Sequence, residues 1–254
     1  MAAQRKIALV TGGSRGLGKE MAIRLGEKNF DVIITYHSRI DDARAVVSSI
    51  ESAGGKGYAL KLDVSEASTF DAFAASVKDT LKKEFQAERF DALVNNAGTG
   101  LHASFSDTTL EQFDSMVDIH LKAPYFLTQK LLPLINDGGS IVNISSGLTR
   151  FSFPGYSAYG TMKGAIETLT RYQAKELGAR RIRVNVVGPG AIATDFGGGA
   201  VRDNQELNSL ISNLTVLGRV GEPDDIGGVI AFLCSDDAKW VNAQRIEVSG
   251  GIFV

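Results

Sequence analysis

The sequence is poor in the residues that build disulfide frameworks, metal clusters and membrane spans. It has one cysteine, Cys234, and three histidines among 254 residues. A single cysteine excludes a disulfide within the chain, which is usual in a reducing compartment, so we expect a cytoplasmic protein without a metal site. No apolar run approaches the ~18 residues that cross a bilayer, so no membrane span is expected.

The charges give no sign of a nucleic-acid partner. The chain has 27 Lys and Arg against 29 Asp and Glu, a net charge of −2. A nearly neutral chain has no basic field to attract a polyanion or an anionic membrane. With 44% hydrophobic and 22% charged residues, the composition is that of a globular protein and excludes a disordered chain.

Glycine is abundant, and hydrophobic runs alternate with helical periodicity. There are 28 glycines, an excess over the usual ~7% that indicates tight turns or backbone lying close to a ligand. Short Val- and Ile-rich runs predict strands at 7–10, 32–35, 58–62, 92–95, 140–144, 183–187 and 245–248. The stretches between them predict helices at 18–28, 41–53, 65–85, 110–134, 159–177 and 222–234.

This alternation predicts one α/β domain over residues 1–254. We expect a doubly wound Rossmann fold, in which helices cover both faces of a seven-stranded parallel sheet. The least regular stretch, 188–213, contains three consecutive glycines, so we expect it to be a mobile loop over the substrate. Ligands bind at the carboxyl ends of the strands in such sheets, so the residues after each strand are the candidates for function.

A glycine-rich turn follows the first strand and opens the first helix. Its glycines are Gly12, Gly16 and Gly18. Such a turn lets the backbone approach a pyrophosphate, which the free N–H groups of the helix start would bind. The other candidate residues of this turn are Ser14, Arg15 and Leu17. The alternative is a turn that only packs the helix on the strand, because this spacing is not the usual GxGxxG.

The end of the second strand favours NADP over NAD. NAD-binding sheets usually place a carboxylate here for the ribose 2′-hydroxyl, but this chain has Tyr36. Arg15, His37, Ser38 and Arg39 would instead surround a 2′-phosphate, which an arginine can hold by two hydrogen bonds. The alternative is that Arg39 is an ordinary solvated arginine.

Taken together, the motifs resemble those of the short-chain dehydrogenase/reductase family. Residues 11–18 look like its TGxxxGxG turn, and residues 95–98 match its NNAG motif. The helix carries Tyr159 and Lys163 in its YxxxK pattern, with Ser146 thirteen residues before the tyrosine. The resemblance further matches Asp63 and Val64 to the adenine site, Asn95, Ala97 and Gly98 to the NNAG contacts, and Pro189, Gly190, Ile192 and Thr194 to the nicotinamide segment.

The resemblance implies an oxidoreductase that binds NADP(H), with Tyr159 and Lys163 also touching the cofactor. The most similar subfamily is the 3-oxoacyl-[acyl-carrier-protein] reductase-like group. The family usually forms homotetramers, and the apolar C-terminal residues 251–254 are consistent with burial at an interface. An acyl-carrier-protein partner is doubtful, because only Arg180 and Arg181 suggest a basic docking patch, and they are equally well explained as solvated arginines that end a helix.

The chemistry of Tyr159 and Lys163 can be argued from their spacing. Four residues apart on a helix, they share one face. A free tyrosine has a pKa near ~10, so we expect the ammonium of Lys163 and an oxidised nicotinamide to lower it; a shift of about 3 units takes about 4 kcal/mol. Tyr159 would then suit acid–base catalysis, and Ser146 would stabilise the substrate oxygen.

One residue departs from the family pattern. His120 stands where the family usually has an asparagine that holds a water of a proton relay. Histidine can donate and accept a hydrogen bond and titrates near neutral pH, so we expect His120 to take over the relay. The alternative is a core histidine bonded to the backbone.

Together with these residues, the resemblance implies NADPH-dependent reduction of a ketone or 3-oxoacyl group, with Tyr159 as the general acid. Leu148, Phe151, Phe153 and Tyr156 are expected to form an apolar wall for the substrate. The alternatives are an NAD-linked alcohol dehydrogenase and a catalytically weak dinucleotide sensor. A nucleotide-dependent transferase would not need Ser146, Tyr159 and Lys163 at these spacings.

Overall fold

Seven parallel strands form one sheet in the order β3-β2-β1-β4-β5-β6-β7. The computed structural model describes residues 5–254; the first four residues of the expected domain lie outside this range. The strands are β1 (Lys6–Val10), β2 (Phe30–Tyr36), β3 (Gly57–Lys61), β4 (Phe90–Asn95), β5 (Ile135–Ile144), β6 (Arg183–Pro189) and β7 (Arg245–Val248). All seven predicted strands are confirmed, and so is the predicted Rossmann-type fold.

Helices cover both faces of the sheet. They are α1 (Gly16–Glu27), α2 (Ile40–Ser52), α3 (Phe70–Thr80), α4 (Leu110–Val117), α5 (Ala123–Leu131), α6 (Ser157–Glu176), α7 (Ala200–Asp203), α8 (Gln205–Leu214) and α9 (Pro223–Cys234). One core cluster packs α1, α2 and α9 on one face, and a second packs α3, α5 and α6 on the other. The near-continuous apolar strands follow from burial on both faces.

The predicted helix at 110–134 is continuous but not uniform. Between α4 and α5 the chain widens into a π-helical segment, Asp118–Lys122. Pro124, in the first turn of α5, has no N–H to offer the carbonyl four residues earlier, which is that of His120. A π-turn is a common response to such a break and frequently occurs at a functional site.

The prediction of an irregular loop over 188–213 is wrong for its second half. Residues 200–203 and 205–214 are α7 and α8. The Asn204 side chain caps α8 by accepting a hydrogen bond from the Leu207 N–H at 3.0 Å. Ile211 on α8 packs against Ile252 near the C-terminus. The three glycines form the turn that precedes α7, with φ of 60°, 75° and 81° at Gly197, Gly198 and Gly199.

The single cysteine lies in the core of the fold. Cys234 is 3% exposed, and burial raises the pKa of its thiol to about 12, as for a small core residue. Among residues 5–254, no helix is both long and apolar enough to cross a bilayer. The carboxyl ends of β1, β4, β5 and β6 are neighbours in the sheet, so the segments that follow them meet along one edge.

Candidate active site and nucleotide cleft

The turn after β1 is tied to the segment after β4. Thr11 Oγ1 accepts from the N–H groups of Asn96 and Ala97, both at 3.0 Å. Asn96 Nδ2 donates to the carbonyls of Thr11 and Gly12 at 2.9 and 3.2 Å. Gly12 has φ +66°, and a Cβ there would lie 2.9 Å from the Ala97 Cα. The turn therefore requires glycine and is held rigidly by its neighbour in the sheet.

Helix α1 begins without a side-chain cap. Its N-cap residue, Arg15, is extended and accepts no capping bond through its side chain, and the first turn holds no acidic residue. Gly16 has φ +53°, and a Cβ there would meet nothing closer than 3.7 Å. Leu17 packs into the core, Ser14 is half-buried in the turn, and a Cβ on Gly18 would lie 2.2 Å from the Gly12 carbonyl oxygen. The helix start is thus open to an anion, while Gly18 serves packing.

The basic side chains expected around a 2′-phosphate each face a carboxylate. Arg15 lies 3.6 Å from Asp195, His37 lies 3.2 Å from Asp63, and Arg39 lies 3.3 Å from Asp42. All three basic side chains are more than half exposed. Tyr36 ends β2 half-buried, and Ser38 is exposed beside it. Exposed pairs of this kind cost little to rearrange, so Arg15 and Arg39 are available to a phosphate.

Asp63 is held within its own turn. Its Oδ1 accepts from the N–H and hydroxyl of Ser65 at 2.9 and 2.7 Å, and these bonds hold the pKa of the carboxyl below its usual range. Val64 packs against the core on the α3 side of the sheet. The pair therefore lies at the carboxyl ends of β2 and β3, where Asp63 also meets His37.

The two asparagines after β4 have different surroundings. Asn95 is 7% exposed, and its Nδ2 donates to Thr128 Oγ1 at 3.0 Å and to Asn143 Oδ1 at 2.8 Å. The Asn95 side chain thus links the sheet to α5, and the neighbouring Asn96 contacts the glycine turn instead. Sequence reasoning missed Asn96, although the same motif contains it. Ala97 is half-buried beside Gly12, and Gly98 is exposed.

The segment after β6 lies against the start of α1. Pro189 is buried at the end of β6, and the Gly190 N–H donates to the Val248 carbonyl at 2.9 Å. Ile192 pairs with Gly221 and packs into the core. Thr194 is 7% exposed, and its Oγ1 accepts from the Phe196 N–H at 3.2 Å. A Cβ on Gly16 would lie 3.7 Å from Thr194, so the segment after β6 lies beside the glycine turn and borders the same cleft.

Helix α6 brings Tyr159 and Lys163 to the end of β5. Tyr159 is 7% exposed and Lys163 6% exposed. The Lys163 Nζ lies 5.5 Å from the centre of the Tyr159 ring and donates to the carbonyl of Ile144 at 2.8 Å. Ser146 follows Ile144 closely in the chain, and its Oγ accepts from the Leu148 N–H at 3.2 Å. The three residues selected from the sequence are therefore gathered in one cluster, in which Tyr159 and Lys163 are buried and Ser146 is half-buried.

The protonation of this cluster differs from the sequence expectation. Burial raises the pKa of the Tyr159 phenol, and a hydrogen bond with the Ser146 hydroxyl acts in the opposite direction without reversing it. Burial lowers the pKa of the Lys163 ammonium to about 7. The expected lowering of the tyrosine pKa is therefore wrong for the chain on its own, because desolvation penalises the phenolate. The chain holds Tyr159 as a protonated phenol.

His120 lies in the π-helical segment, edge-on to Tyr159. The ring centres are 5.1 Å apart at 88°, and Nε2 lies 2.8 Å from the Thr99 carbonyl oxygen. Nε2 therefore carries the proton, and Nδ1 is a buried acceptor without a partner among the described residues. Burial and the nearby Lys163 charge lower the His120 pKa to about 3. The expectation that His120 titrates near neutral pH is thus wrong, and the ring is neutral.

Aromatic rings surround Tyr159 unevenly. Phe196, after β6, lies 5.8 Å from the Tyr159 ring. Sequence reasoning missed it, and its place just before the three glycines is the only signal. Leu148 packs behind Tyr159 and Tyr156 packs edge-on to His102 at 5.1 Å. Of the expected apolar wall, Phe151 and Phe153 pack against each other and against Phe253 near the C-terminus.

Comparison with known proteins agrees with this geometry. A family model described as enoyl-(acyl carrier protein) reductase matches residues 12–252. An uncharacterized oxidoreductase of Methylorubrum extorquens is 38% identical over 97% of this chain and 97% of the relative. The 3-oxoacyl-[acyl-carrier-protein] reductase FabG of Staphylococcus aureus is 35% identical over 98% of each chain.

A solved structure shares the whole architecture. The angucycline C-6 ketoreductase LanV, crystallised with bound NADP, superposes with a TM-score of 0.92 at 39% identity, covering 98% of this chain and 95% of LanV. With a model match over nearly the whole chain and relatives of this similarity, the chain belongs to the short-chain dehydrogenase/reductase family, a family of oxidoreductases.

Proposed function

We propose that this chain reduces a ketone or related carbonyl with NADPH. The observation that carries the proposal is the buried cluster in which Tyr159, Lys163 and Ser146 meet at the end of β5, with a protonated phenol at its centre. A protonated group is the state that a reduction needs, because the carbonyl oxygen takes up a proton. The presence of NADP in the related LanV structure supports the choice of cofactor.

The cleft fits a dinucleotide. Its pyrophosphate would lie at the uncapped start of α1, against the backbone N–H groups of Gly16 and Leu17, where no carboxylate stands in the first turn. The left-handed φ of Gly16, and the absence of any described atom closer than 3.7 Å to a Cβ placed there, leave the backbone uncrowded. Asp63 and Val64 would border the adenine, and Gly190, Ile192 and Thr194 the nicotinamide.

The choice of NADP over NAD rests on the end of β2. Residue 36, where a ribose 2′-hydroxyl would need a carboxylate, is the tyrosine Tyr36. Arg15 and Arg39 are exposed on either side, in weak ion pairs from which a phosphate dianion would draw them. The 2′-phosphate would be held by these two arginines together with His37 and Ser38.

The residues of the cluster divide the work at the substrate oxygen. When bound, NADPH supplies the hydride that the carbonyl carbon accepts. Tyr159 donates its phenolic proton to the carbonyl oxygen, and the Ser146 hydroxyl donates a hydrogen bond to the same oxygen. Lys163, 5.5 Å from the ring centre, stabilises the phenolate that remains.

His120 holds the water that returns the proton. Its Nδ1 is a buried acceptor without a partner among the described residues, so a water molecule can donate to it. The His120 carbonyl, which Pro124 cannot bond, is a second acceptor in the same π-turn. Because the ring stays neutral above pH 3, His120 holds this water without itself carrying the proton.

The substrate is a compact ketone on a ring system in preference to an acyl group on a carrier protein. Phe196 borders the Tyr159 ring, 5.8 Å away and tilted by 56°, and an aromatic side chain at this place favours a flat substrate. Arg180, a residue of the doubtful docking patch, donates to the Asp137 carboxylate at 2.7 Å and to the Leu132 carbonyl at 2.9 Å. These contacts lie at the start of β5, at the opposite end of that strand from Ser146.

The assembly is a homotetramer. Large apolar side chains lie exposed along α4 to α6 and again near the C-terminus, where Trp240 is 96% and Val254 95% exposed. Exposed apolar surface of this kind marks protein interfaces. A sedimenting mass of four chains supports this arrangement, and a mass near 27.1 kDa contradicts it.

The decisive experiment measures NADPH and NADH oxidation at 340 nm over a panel of cyclic diketones, quinones, β-ketoesters and acyl thioesters. We expect NADPH-dependent turnover, fastest with ring ketones and quinones. The Tyr159→Phe variant should lower kcat by about 10²–10⁴-fold, since it removes the proton donor and keeps the packing. Tyr58→Phe, on β3, serves as the control that keeps full activity.

Three outcomes would contradict the proposal. Turnover that survives in Tyr159→Phe would remove the tyrosine from the mechanism. Equal use of NADH would favour the NAD-linked alcohol dehydrogenase. Nucleotide binding without turnover of any carbonyl would favour a dinucleotide sensor.

A further inference from the structure

A charged network lies directly beneath the Ser146 turn. Glu167, on α6, accepts three hydrogen bonds at one carboxylate oxygen: from Ser145 Oγ at 2.8 Å, from Thr149 Oγ1 at 2.6 Å and from Arg245 Nε at 2.7 Å. Ser145 and Thr149 flank Ser146 on its two sides. The carboxylate is therefore hydrogen-bonded to both ends of the short turn that carries the Ser146 hydroxyl.

Arg245, on β7, closes the same turn from the other side. Its Nη2 donates to the Ser146 carbonyl at 3.3 Å and to Thr149 Oγ1 at 3.1 Å, and its Nη1 donates to Glu247 at 2.7 Å. The space for the guanidinium exists because residue 188 on β6 is a glycine, where a Cβ would lie 2.8 Å from Nη2. The guanidinium is thus built into the sheet edge and directed at the turn.

The position of Glu167 on α6 connects the network to the helix that carries Tyr159. Tyr159, Lys163 and Glu167 are spaced four residues apart, so all three lie on one face of the helix. The helix that fixes Tyr159 therefore also fixes, through Glu167, the turn that carries Ser146. We propose that Glu167 and Arg245 are positioning residues that set the distance between the Ser146 hydroxyl and the Tyr159 phenol.

The burial of the pair makes it suited to this task. The Glu167 and Arg245 side chains are only 15% and 25% exposed, so water replaces a lost partner poorly. Removing Glu167 takes an acceptor from the hydroxyls of Ser145 and Thr149, and removing Arg245 takes a donor from Thr149 and from the Ser146 carbonyl, so in either case the turn shifts. A displacement of about 1 Å in a catalytic group can cost about 10²-fold in rate.

The test rests on the proposed carbonyl reduction and compares Glu167→Ala, Arg245→Ala and the double variant. Each single variant should lower kcat 10–100-fold, while the dissociation constant of NADPH stays within about twofold. Because the two residues hold one turn, the double variant should lose about as much as the worse single variant. Glu167→Gln keeps an acceptor oxygen and should restore most of the loss.

A second background separates positioning from general stability. In Ser146→Ala the hydroxyl to be positioned is absent, so adding Arg245→Ala should lower the residual kcat by less than about threefold. Hydrogen exchange of the amides at 145–150 should become faster in Arg245→Ala. Arg5→Ala is the matched control, since Arg5 pairs with Asp31 at 3.0 Å with 26% and 20% exposure and also donates to backbone carbonyls, at the other end of the sheet.

The outcomes are distinguishable from a failure of the proposed function. If wild type shows no carbonyl turnover, or if Tyr159→Phe stays active, the proposed function fails. If wild type is active and Tyr159→Phe is not, then full activity in Glu167→Ala and Arg245→Ala overturns the positioning role. An equal loss in Arg5→Ala, or an undiminished effect of Arg245→Ala in the Ser146→Ala background, overturns it as well.

Discussion

Basic side chains lie at both ends of the cleft, in opposite surroundings. Lys163 is 6% exposed, and its ammonium bonds a backbone carbonyl without a carboxylate partner among the described residues. Arg15, His37 and Arg39 are more than half exposed, and each lies beside a carboxylate. The lysine end of the cleft is buried, and no carboxylate among the described residues balances its charge; we call it the dry end. The other end is exposed, with a carboxylate beside each basic side chain; we call it the wet end.

This difference separates the residues that carry out the reaction from those that select the nucleotide. Desolvation lowers the pKa of Lys163 to about 7, so a small change in its surroundings alters its charge. Exposed pairs contribute about 0–1 kcal/mol each and are screened by salt, so they can be exchanged for a phosphate at little cost. Substitutions at the dry end should therefore change rates and stability strongly, and those at the wet end only the choice of nucleotide.

Lys163→Met should give the largest effect, with opposite signs for activity and stability. We expect kcat to fall about 10²–10⁴-fold, because the phenolate of Tyr159 loses its cation. Since the folded pKa lies below the unfolded one, burial of the ammonium costs stability at pH 7 and below, and this cost is relieved as pH rises toward 10.5. The variant should therefore be more stable by on the order of 2 kcal/mol at pH 6, measured by urea unfolding.

Lys175→Met is the control for this variant, because Lys175 is exposed in the last turn of the same helix. It should change neither quantity beyond experimental error. A Lys163→Met variant that is less stable than wild type at pH 6 would contradict the view of the lysine as a desolvated, costly charge.

His120 is the second group at the dry end, and His120→Asn should reduce the sensitivity of the fold to acid. The folded pKa of about 3 lies below the unfolded value of 6.5, so the unfolded chain takes up the proton first as pH falls. Wild type should lose about 2 kcal/mol more than the variant between pH 6.5 and 5, measured by urea unfolding at each pH. Equal losses in both proteins would show that His120 is not buried as a neutral ring.

The same position should separate a water-holding role from simple packing. His120→Ala should lower kcat about tenfold, and His120→Asn, which keeps a polar acceptor, should stay within about threefold of wild type. Turnover and its pH profile are measured with the best ketone of the panel. An Ala variant with unchanged turnover and pH profile would exclude His120 from the proton relay.

The contrast between the two ends also marks what the sequence could predict. The strands follow from apolar runs, and the positions of Ser146, Tyr159 and Lys163 from the family resemblance of short motifs, all of which are local properties of the sequence. The pKa direction of Tyr159 does not, because desolvation depends on what covers the ring, including Phe196. Spacing along the chain showed the cation near the tyrosine but not its burial.

Two further misses have the same kind of cause. Asn95 and Asn96 are adjacent, and strand geometry directs their side chains to opposite faces, so only the fold shows which one contacts the glycine turn. Glu167 and Arg245 are 78 residues apart and meet only because β7 lies beside β6. Helix α8 was hidden by the neighbouring glycines, although Leu207, Ile211 and Leu214 have helical spacing.

At the wet end, Arg39→Ala should change the choice of nucleotide and leave the chemistry intact. We expect the dissociation constant of NADPH to rise about tenfold and that of NADH to stay within about twofold, since only NADPH has the 2′-phosphate. Arg44→Ala is the control, because Arg44 lies on the same helix and pairs with Asp41. Equal weakening of both nucleotides would contradict a 2′-phosphate contact at Arg39.

The smallest effect should come from removing a carboxylate that competes with the phosphate. Asp42 lies 3.3 Å from Arg39, and the neighbouring Asp41 lies 3.2 Å from Arg44, both as exposed pairs in the first turn of α2. Asp42→Asn and Asp41→Asn therefore remove the same charge from the same helix start, and they differ only in which arginine is released. We expect NADPH to bind about two- to threefold more tightly in Asp42→Asn than in Asp41→Asn, with NADH unchanged, because an exposed pair contributes less than about 1 kcal/mol. Titration calorimetry at low and high salt measures the difference, which should shrink as salt screens the pair. Identical affinities of the two variants for NADPH would mean that Arg39 is free of Asp42 in solution, and the carboxylate contacts of the wet end would then be those of Arg15 with Asp195 and of His37 with Asp63.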